Sequence, residues 1–194
     1  MGKRTRKQDE LAFEQFGELI FLCGAFLLGA VLGSFFASGF SEEGLFFRLF
    51  FNGIQLRTFL LIHGSLIALI FFSAFFRFGY LMAPFAIAVE GFILAASVTC
   101  YIAQYGAAGY WPALVGIGFS NAALIALQLL LGCRAAEYAE HGLRRPDRSS
   151  YIHSTRDRGY WLSGALALFL VMLIGWIHCH WLAHFAGFLL ARMA

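Results

Sequence analysis

Charge is scarce in this chain. Of its 194 residues, 13% are charged and 60% are hydrophobic, against about 25% and 45–50% in a soluble globular domain. A water-soluble core of this length has no room for so much apolar surface, so lipid must solvate part of it. Proline is rare too, with three residues, so little interrupts long helices. The four cysteines, Cys23, Cys100, Cys133 and Cys179, form no CxxC pair and all lie in or beside apolar runs. They read as small packing residues, not as a disulfide framework. No basic stripe interleaved with exposed aromatics is present, which removes nucleic acid as a partner. Nucleophile elbow, phosphate loop, HExxH helix and paired-carboxylate motif are all missing. The sequence therefore predicts a non-enzymatic protein without cofactor.

What the chain has in abundance is phenylalanine, 23 residues, a bulky side chain with no polar handle that suits acyl chains. Its apolar runs approach or exceed the ~20 residues of a membrane span. An all-α, polytopic helical membrane protein follows. It has a cytoplasmic N-terminal segment over 1–18 and one transmembrane domain over 19–194. Five spans are expected at about 19–37, 57–76, 79–104, 111–133 and 160–177, with one segment kinked or broken. The first run is longer than the roughly 7–15 residues of a signal-peptide core, so it reads as an uncleaved helix. Residues 38–56 form a loop in which LFFRLFF suits a short headgroup-layer helix and Asn52-Gly53 a turn. Residues 134–159 form the long polar loop. His178 to Arg192 reads as a terminal interfacial helix, although counting it as a sixth span would return the C-terminus inside.

Basic residues set the expected orientation. Lys3, Arg4, Arg6 and Lys7 precede the first span, Arg77 follows the second, and Arg134, Arg144, Arg145, Arg148, Arg156 and Arg158 fill the long loop. Arg48, Arg57 and Arg192 are left for the other side. The positive-inside rule places the N-terminus in the cytoplasm and the C-terminus outside.

Small residues mark the packing faces. Ala25, Gly29, Gly33 and Ala37 recur every fourth residue, as do Gly91, Ala95, Thr99 and Ala103. Such stripes let helix backbones approach closely, within the chain or across a homodimer. Gly106 and Gly109 bracket a tight connection, and Pro112 suits the first turn of the helix that follows.

Polar residues inside apolar runs are the functional candidates. A carboxylate at mid-membrane costs about 2.5–3.5 kcal/mol on insertion scales, so Glu90 needs a reason to be there. Three readings compete: a paired structural residue, a wetted break between half-helices flanked by Pro84 and Gly91, or a proton or ion site. Asn121 and Gln128 are the strongly polar members of the next span. His63, near one end of the second, reads as an interfacial or packing residue. His178, His180 and His184 form the nearest approach to a metal-ligand cluster. No carboxylate is close in sequence, so no metal site is assigned and interfacial anchoring is the expectation.

The segments Glu90-Gly91-Phe92-Ile93-Leu94, Tyr105-Gly106-Ala107-Ala108-Gly109 and Phe119-Ser120-Asn121 resemble the core of the stage II sporulation protein M family. That family has a charged residue plus Gly-Phe entering one apolar segment, a glycine-spaced turn, and a Pro-x-Asn-like element in the next. Here Phe119 stands where the family often has Pro, and Glu90 where a basic residue is common. The resemblance implies a bacterial inner-membrane scaffold without enzymatic activity that holds membrane-anchored, peptidoglycan-degrading partners during engulfment. The alternative is a small-solute or ion permease, possibly a transporter subunit, using Glu90. A third reading is a metal-responsive protein using the three C-terminal histidines.

Overall fold

The computed structural model describes residues 2–39, 56–76, 79–143 and 155–182, with His184, Phe185, Phe188 and Arg192 beyond. Among these the backbone is helical almost throughout, with no strand. We number the helices α1 (Gly2–Gly39), α2 (Leu56–Ser73), α3 (Gly79–Tyr105), α4 (Tyr110–Ala113), α5 (Phe119–Leu143) and α6 (Thr155–Ile177). A 3-10 turn, Gly106–Gly109, joins α3 to α4. One π-turn, Leu114–Gly118, joins α4 to α5, and a second, His178–Leu182, follows α6.

Four described stretches are long and apolar enough to cross a membrane: Phe16–Ser38, Leu56–Ser73, Leu81–Ala139 and Arg158–Trp181. The chain is a multi-pass helical membrane protein. The third stretch has 59 residues and is a hairpin. As a straight helix it would put Glu90 and Gln128 about 57 Å apart, yet their side chains are hydrogen-bonded at 2.9 Å. The fold therefore has five apolar legs.

The reversal falls at Gly106, whose φ of +60° makes it the only described residue with positive φ. Glycine enters that region without steric penalty. Pro112 sits in the short α4, as its missing N–H favours. The break that would make half-helices on either side of Glu90 does not occur. Pro84 lies near the start of α3, which runs unbroken through Glu90. The long polar loop is also shorter than expected. Helix α5 carries on through Arg134 and Glu137 to Leu143, and α6 begins at Thr155. The headgroup-layer helix and the Asn52-Gly53 turn lie outside the described residues. So does most of the terminal piece after Leu182, where Arg192 stacks on Phe188 at 4.6 Å.

Helix α1 lies at one edge and packs chiefly on α3. Helices α2, α3 and α5 meet in the middle, and α6 closes the other edge against α2 and α5. The core is built from Phe59, Ile67, Ile70 and Phe71 of α2, Ala86 and Ile87 of α3, Leu124 and Leu131 of α5, and Ala167 and Val171 of α6. Phenylalanine is spent as its composition predicts. Phe35, Phe85, Phe119 and Phe169 are exposed on the outer faces, where lipid is the solvent. None of the four cysteines is in a disulfide.

The α1 stripe packs inside the chain. A Cβ on Gly29 would run into the Ala88 carbonyl, one on Gly33 into the Phe92 carbonyl, and one on Gly91 into the Phe26 carbonyl. Ala37 closes the seam against Ala96 and Cys100. On α3 the contact row is thus Ala88, Phe92, Ala96 and Cys100, with Gly91 beside it. Of the expected row Gly91, Ala95, Thr99 and Ala103, Gly91 lies in the seam.

Candidate functional site

Glu90 sits on α3, roughly 16 Å along the axis from the helix start and about 22 Å from its end. It is 0% exposed. His63 of α2 brings Nδ1 to 3.0 Å from Glu90 Oε2. Gln128 of α5 donates from Nε2 to the same oxygen at 2.9 Å. Three adjacent legs therefore each place one polar side chain at a common depth. Gln128 is 0% exposed and His63 7%, so the cluster is closed to solvent. Glu90 Oε1 and Gln128 Oε1 are buried without a hydrogen-bond partner.

The unbroken α3 removes the wetted-break reading of Glu90. Pairing with His63 corrects the interfacial reading of that histidine. Asn121 is buried one helix face above Gln128, since positions seven apart on α5 align. Its Nδ2 donates to the Ile117 carbonyl at 2.9 Å, and its Oδ1 has no partner. Ser120 Oγ donates to the Ile117 carbonyl at 3.1 Å. It lies 3.0 Å from His178 Nδ1, so the hydroxyl can accept from the imidazole N–H. Side-chain bonds to i−3 and i−4 carbonyls compete with the backbone ladder and bend helices. Here they fall on Gly116 and Ile117, inside the π-turn. The Ser120–His178 contact ties the start of α5 to the second π-turn, and the two π-turns also touch.

Phe59 links the two groups. Its ring lies 4.4 Å from His63 and 5.2 Å, stacked, from His178. The polar order along the bundle is Ser120–His178, then the Phe59 ring, then His63–Glu90–Gln128. From the other end a groove of about 300 Å³ enters between α1, α2, α3 and α5. It is lined by Ala83, Pro84, Gly132 and Ala135 among others, with Glu18 at its mouth. Leu22 and Ile87 stand at Gly132, between the groove and Gln128.

The C-terminal histidines are not gathered. His178 turns inward to Ser120 and Phe59. His180 is exposed, stacks on Trp176 at 5.1 Å and donates from Nδ1 to the Trp176 carbonyl at 3.0 Å. His184 is exposed. No three metal-ligating side chains come together among the described residues. Sequence reasoning found Glu90 but not its partners. The available signal was that His63, Glu90 and Gln128 interrupt three successive apolar legs at comparable depth.

No protein-family model matches this chain, and neither a curated protein nor a solved structure matches it.

Proposed function

We propose that this chain is a non-enzymatic scaffold of the bacterial inner membrane, N-terminus in the cytoplasm, of the stage II sporulation protein M type. Its role is to hold membrane-anchored partners, with peptidoglycan-degrading enzymes as the expected class. The observation carrying this reading is the α3–α5 hairpin. Each motif segment of the resemblance has a structural task there: Gly91 seats α1, Gly106 makes the reversal, and Ser120 and Asn121 shape the π-turn. Partners would meet the outer faces of α1 and α6, where Leu28, Phe35, Leu162 and Phe169 are exposed. A photo-crosslinker at Phe35 or Phe169 in living cells is expected to capture a cell-wall hydrolase. Capture of lipid alone at both positions would remove the scaffold reading.

A second reading, a small-solute or ion permease, is favoured by one observation. The buried Glu90 cluster lies between a histidine-bearing end and a groove from the other end. Solute flux into liposomes should fall at least tenfold in Glu90→Gln. Equal, negligible flux in both proteins would exclude it.

A further inference from the structure

We propose that His63 and Glu90 hold an exchangeable proton in the bilayer core, and that this proton enters from the His178 end past the ring of Phe59. The first argument is the kind of atom left unpaired. Glu90 Oε1, Gln128 Oε1 and Asn121 Oδ1 are all acceptors, so the site is short of hydrogens, not of oxygens. A buried unsatisfied group costs about 1–3 kcal/mol, and a carboxylate at this depth carries its insertion penalty as well. With a neutral imidazole and an ionised carboxylate, the pair bears a net charge of −1. One added proton, carried on the Glu90 carboxyl, makes the pair neutral overall and leaves Gln128 Nε2 donating as before.

Among the described residues, nothing else beside the pair supplies that positive charge. From α5 the facing group is the neutral amide of Gln128. From the second π-turn, after α6, it is His178, behind Phe59. Helix α1 meets α3 here through Phe26, Gly29 and Gly33. Its Glu18 lies at the far end, beside Ser73 and Gly79 at the groove mouth, with Cys23 and Cys133 near that end. A sodium ion would need several oxygens on one centre. Asn121 and Gln128 are two helical turns, roughly 10 Å, apart on α5 and cannot share one.

The route follows from which side chains carry protons. On the His178 side, half-buried His178 of the second π-turn contacts the buried Ser120 hydroxyl. One aromatic ring, 2% exposed, separates them from His63. Gly175 makes room for that ring, since a Cβ there would come within 2.7 Å of Phe59 Cδ1. On the groove side Glu18 and Ser73 are the polar lining residues, and the apolar side chains of Leu22 and Ile87 at Gly132 seal it from Gln128. Phe59 is the plug on the conducting side.

The inference is independent of both functional readings, because titration is read without partner or cargo. The test uses the full-length protein in nanodiscs and infrared difference spectra over about pH 4 to 9. Wild type should show the carbonyl band of a protonated carboxyl appearing as pH falls, identical in sodium and in choline buffer. Glu90→Gln should lack it. Gln128→Met, which keeps both proton carriers, should retain it at a shifted frequency, and this variant decides the matter if Glu90→Gln does not fold. In pH jumps, Phe59→Ala should load the site at least tenfold faster and His178→Phe at least threefold slower, with Leu22→Ala unchanged. A band that survives Glu90→Gln, or sodium displacing the proton, overturns the site. Acceleration by Leu22→Ala in place of Phe59→Ala overturns the route.

Discussion

At the end of α2, four consecutive carbonyls have run out of helical partners, as at every helix C-terminus, and each finds another. Ser73 Oγ donates to the Ile70 carbonyl at 2.6 Å. The backbone N–H groups of Phe75 and Phe76 donate to the carbonyls of Phe72 and Ser73 at 3.0 and 3.2 Å. The Phe71 carbonyl is left, and Tyr160 of α6 donates its hydroxyl to it at 2.6 Å. The tyrosine ring lies flat between Phe71 and Tyr138, with centroids at 4.9 and 4.4 Å. Tyr160→Phe keeps that stack and strands one buried carbonyl. We expect a loss of about 1–3 kcal/mol, read as a lower unfolding midpoint in detergent. Gly106→Ala tests a different residue-level term. A Cβ there meets no atom within 4 Å, so the penalty is the positive φ alone. About 1–2 kcal/mol is expected from the handedness of L-residues, by the same measurement. An unchanged midpoint would mean that the reversal does not hold Gly106 in that conformation.

Among the elements, the α1–α3 seam decides how the bundle is held. It offers a paired test within one helix. Gly24 and Gly29 are both on α1, but a Cβ at Gly24 meets nothing within 4 Å, whereas one at Gly29 collides with the backbone of Ala88. Gly24→Ala should leave stability unchanged or raise it by up to ~1 kcal/mol through helix propensity. Gly29→Ala should lower it by about 1–3 kcal/mol through overpacking. Equal effects would show that the seam is not tight. The α1 row was legible in the sequence because a glycine every fourth residue has no side chain to be read otherwise. On α3 Gly91 drew attention to its own row, and Gly91 does meet α1. The adjacent row, Ala88, Phe92, Ala96 and Cys100, carries the contact and has a large Phe within it. The break was misplaced for a similar reason. Proline and glycine are the visible helix breakers, yet Pro84 near a helix start gives up one bond and leaves α3 intact. The irregular backbone sits instead at Leu114–Gly118, where Ser120 and Asn121 take carbonyls from the ladder. His63 was misread because its partner is 27 residues away, and no local pattern records such a pairing.

Across the whole molecule, the two ends of the bundle differ in chemistry. One end gathers Phe71, Phe75, Tyr138, Tyr160 and Trp161 into a ring cluster, with Arg134 and Arg158 on the helices beside it. The other carries Tyr101, Tyr105, Tyr110, Trp111, Trp176 and Trp181. Aromatic residues at both ends suit the two bilayer interfaces, and the positive-inside rule would place the end with Arg134 and Arg158 in the cytoplasm. Helix α1 begins, α2 and α5 end, and α6 begins at the basic end, while the Gly106 reversal lies at the other. Cysteine labelling tests this arrangement, with Cys23, Cys100, Cys133 and Cys179 first replaced by alanine. An impermeant maleimide added to intact cells should label Ala107→Cys, and should label Ser149→Cys, between α5 and α6, after permeabilisation alone. Five legs also require Met193→Cys to label from outside together with Ala107→Cys. Labelling of Ser149→Cys and not Ala107→Cys in intact cells would invert the orientation. Protection of Met193→Cys beside a labelled Ala107→Cys would turn the terminal piece into a sixth crossing. In the expected arrangement, His178 and Phe59 face the outer surface, so the proton on Glu90 and His63 would report the pH outside the cell.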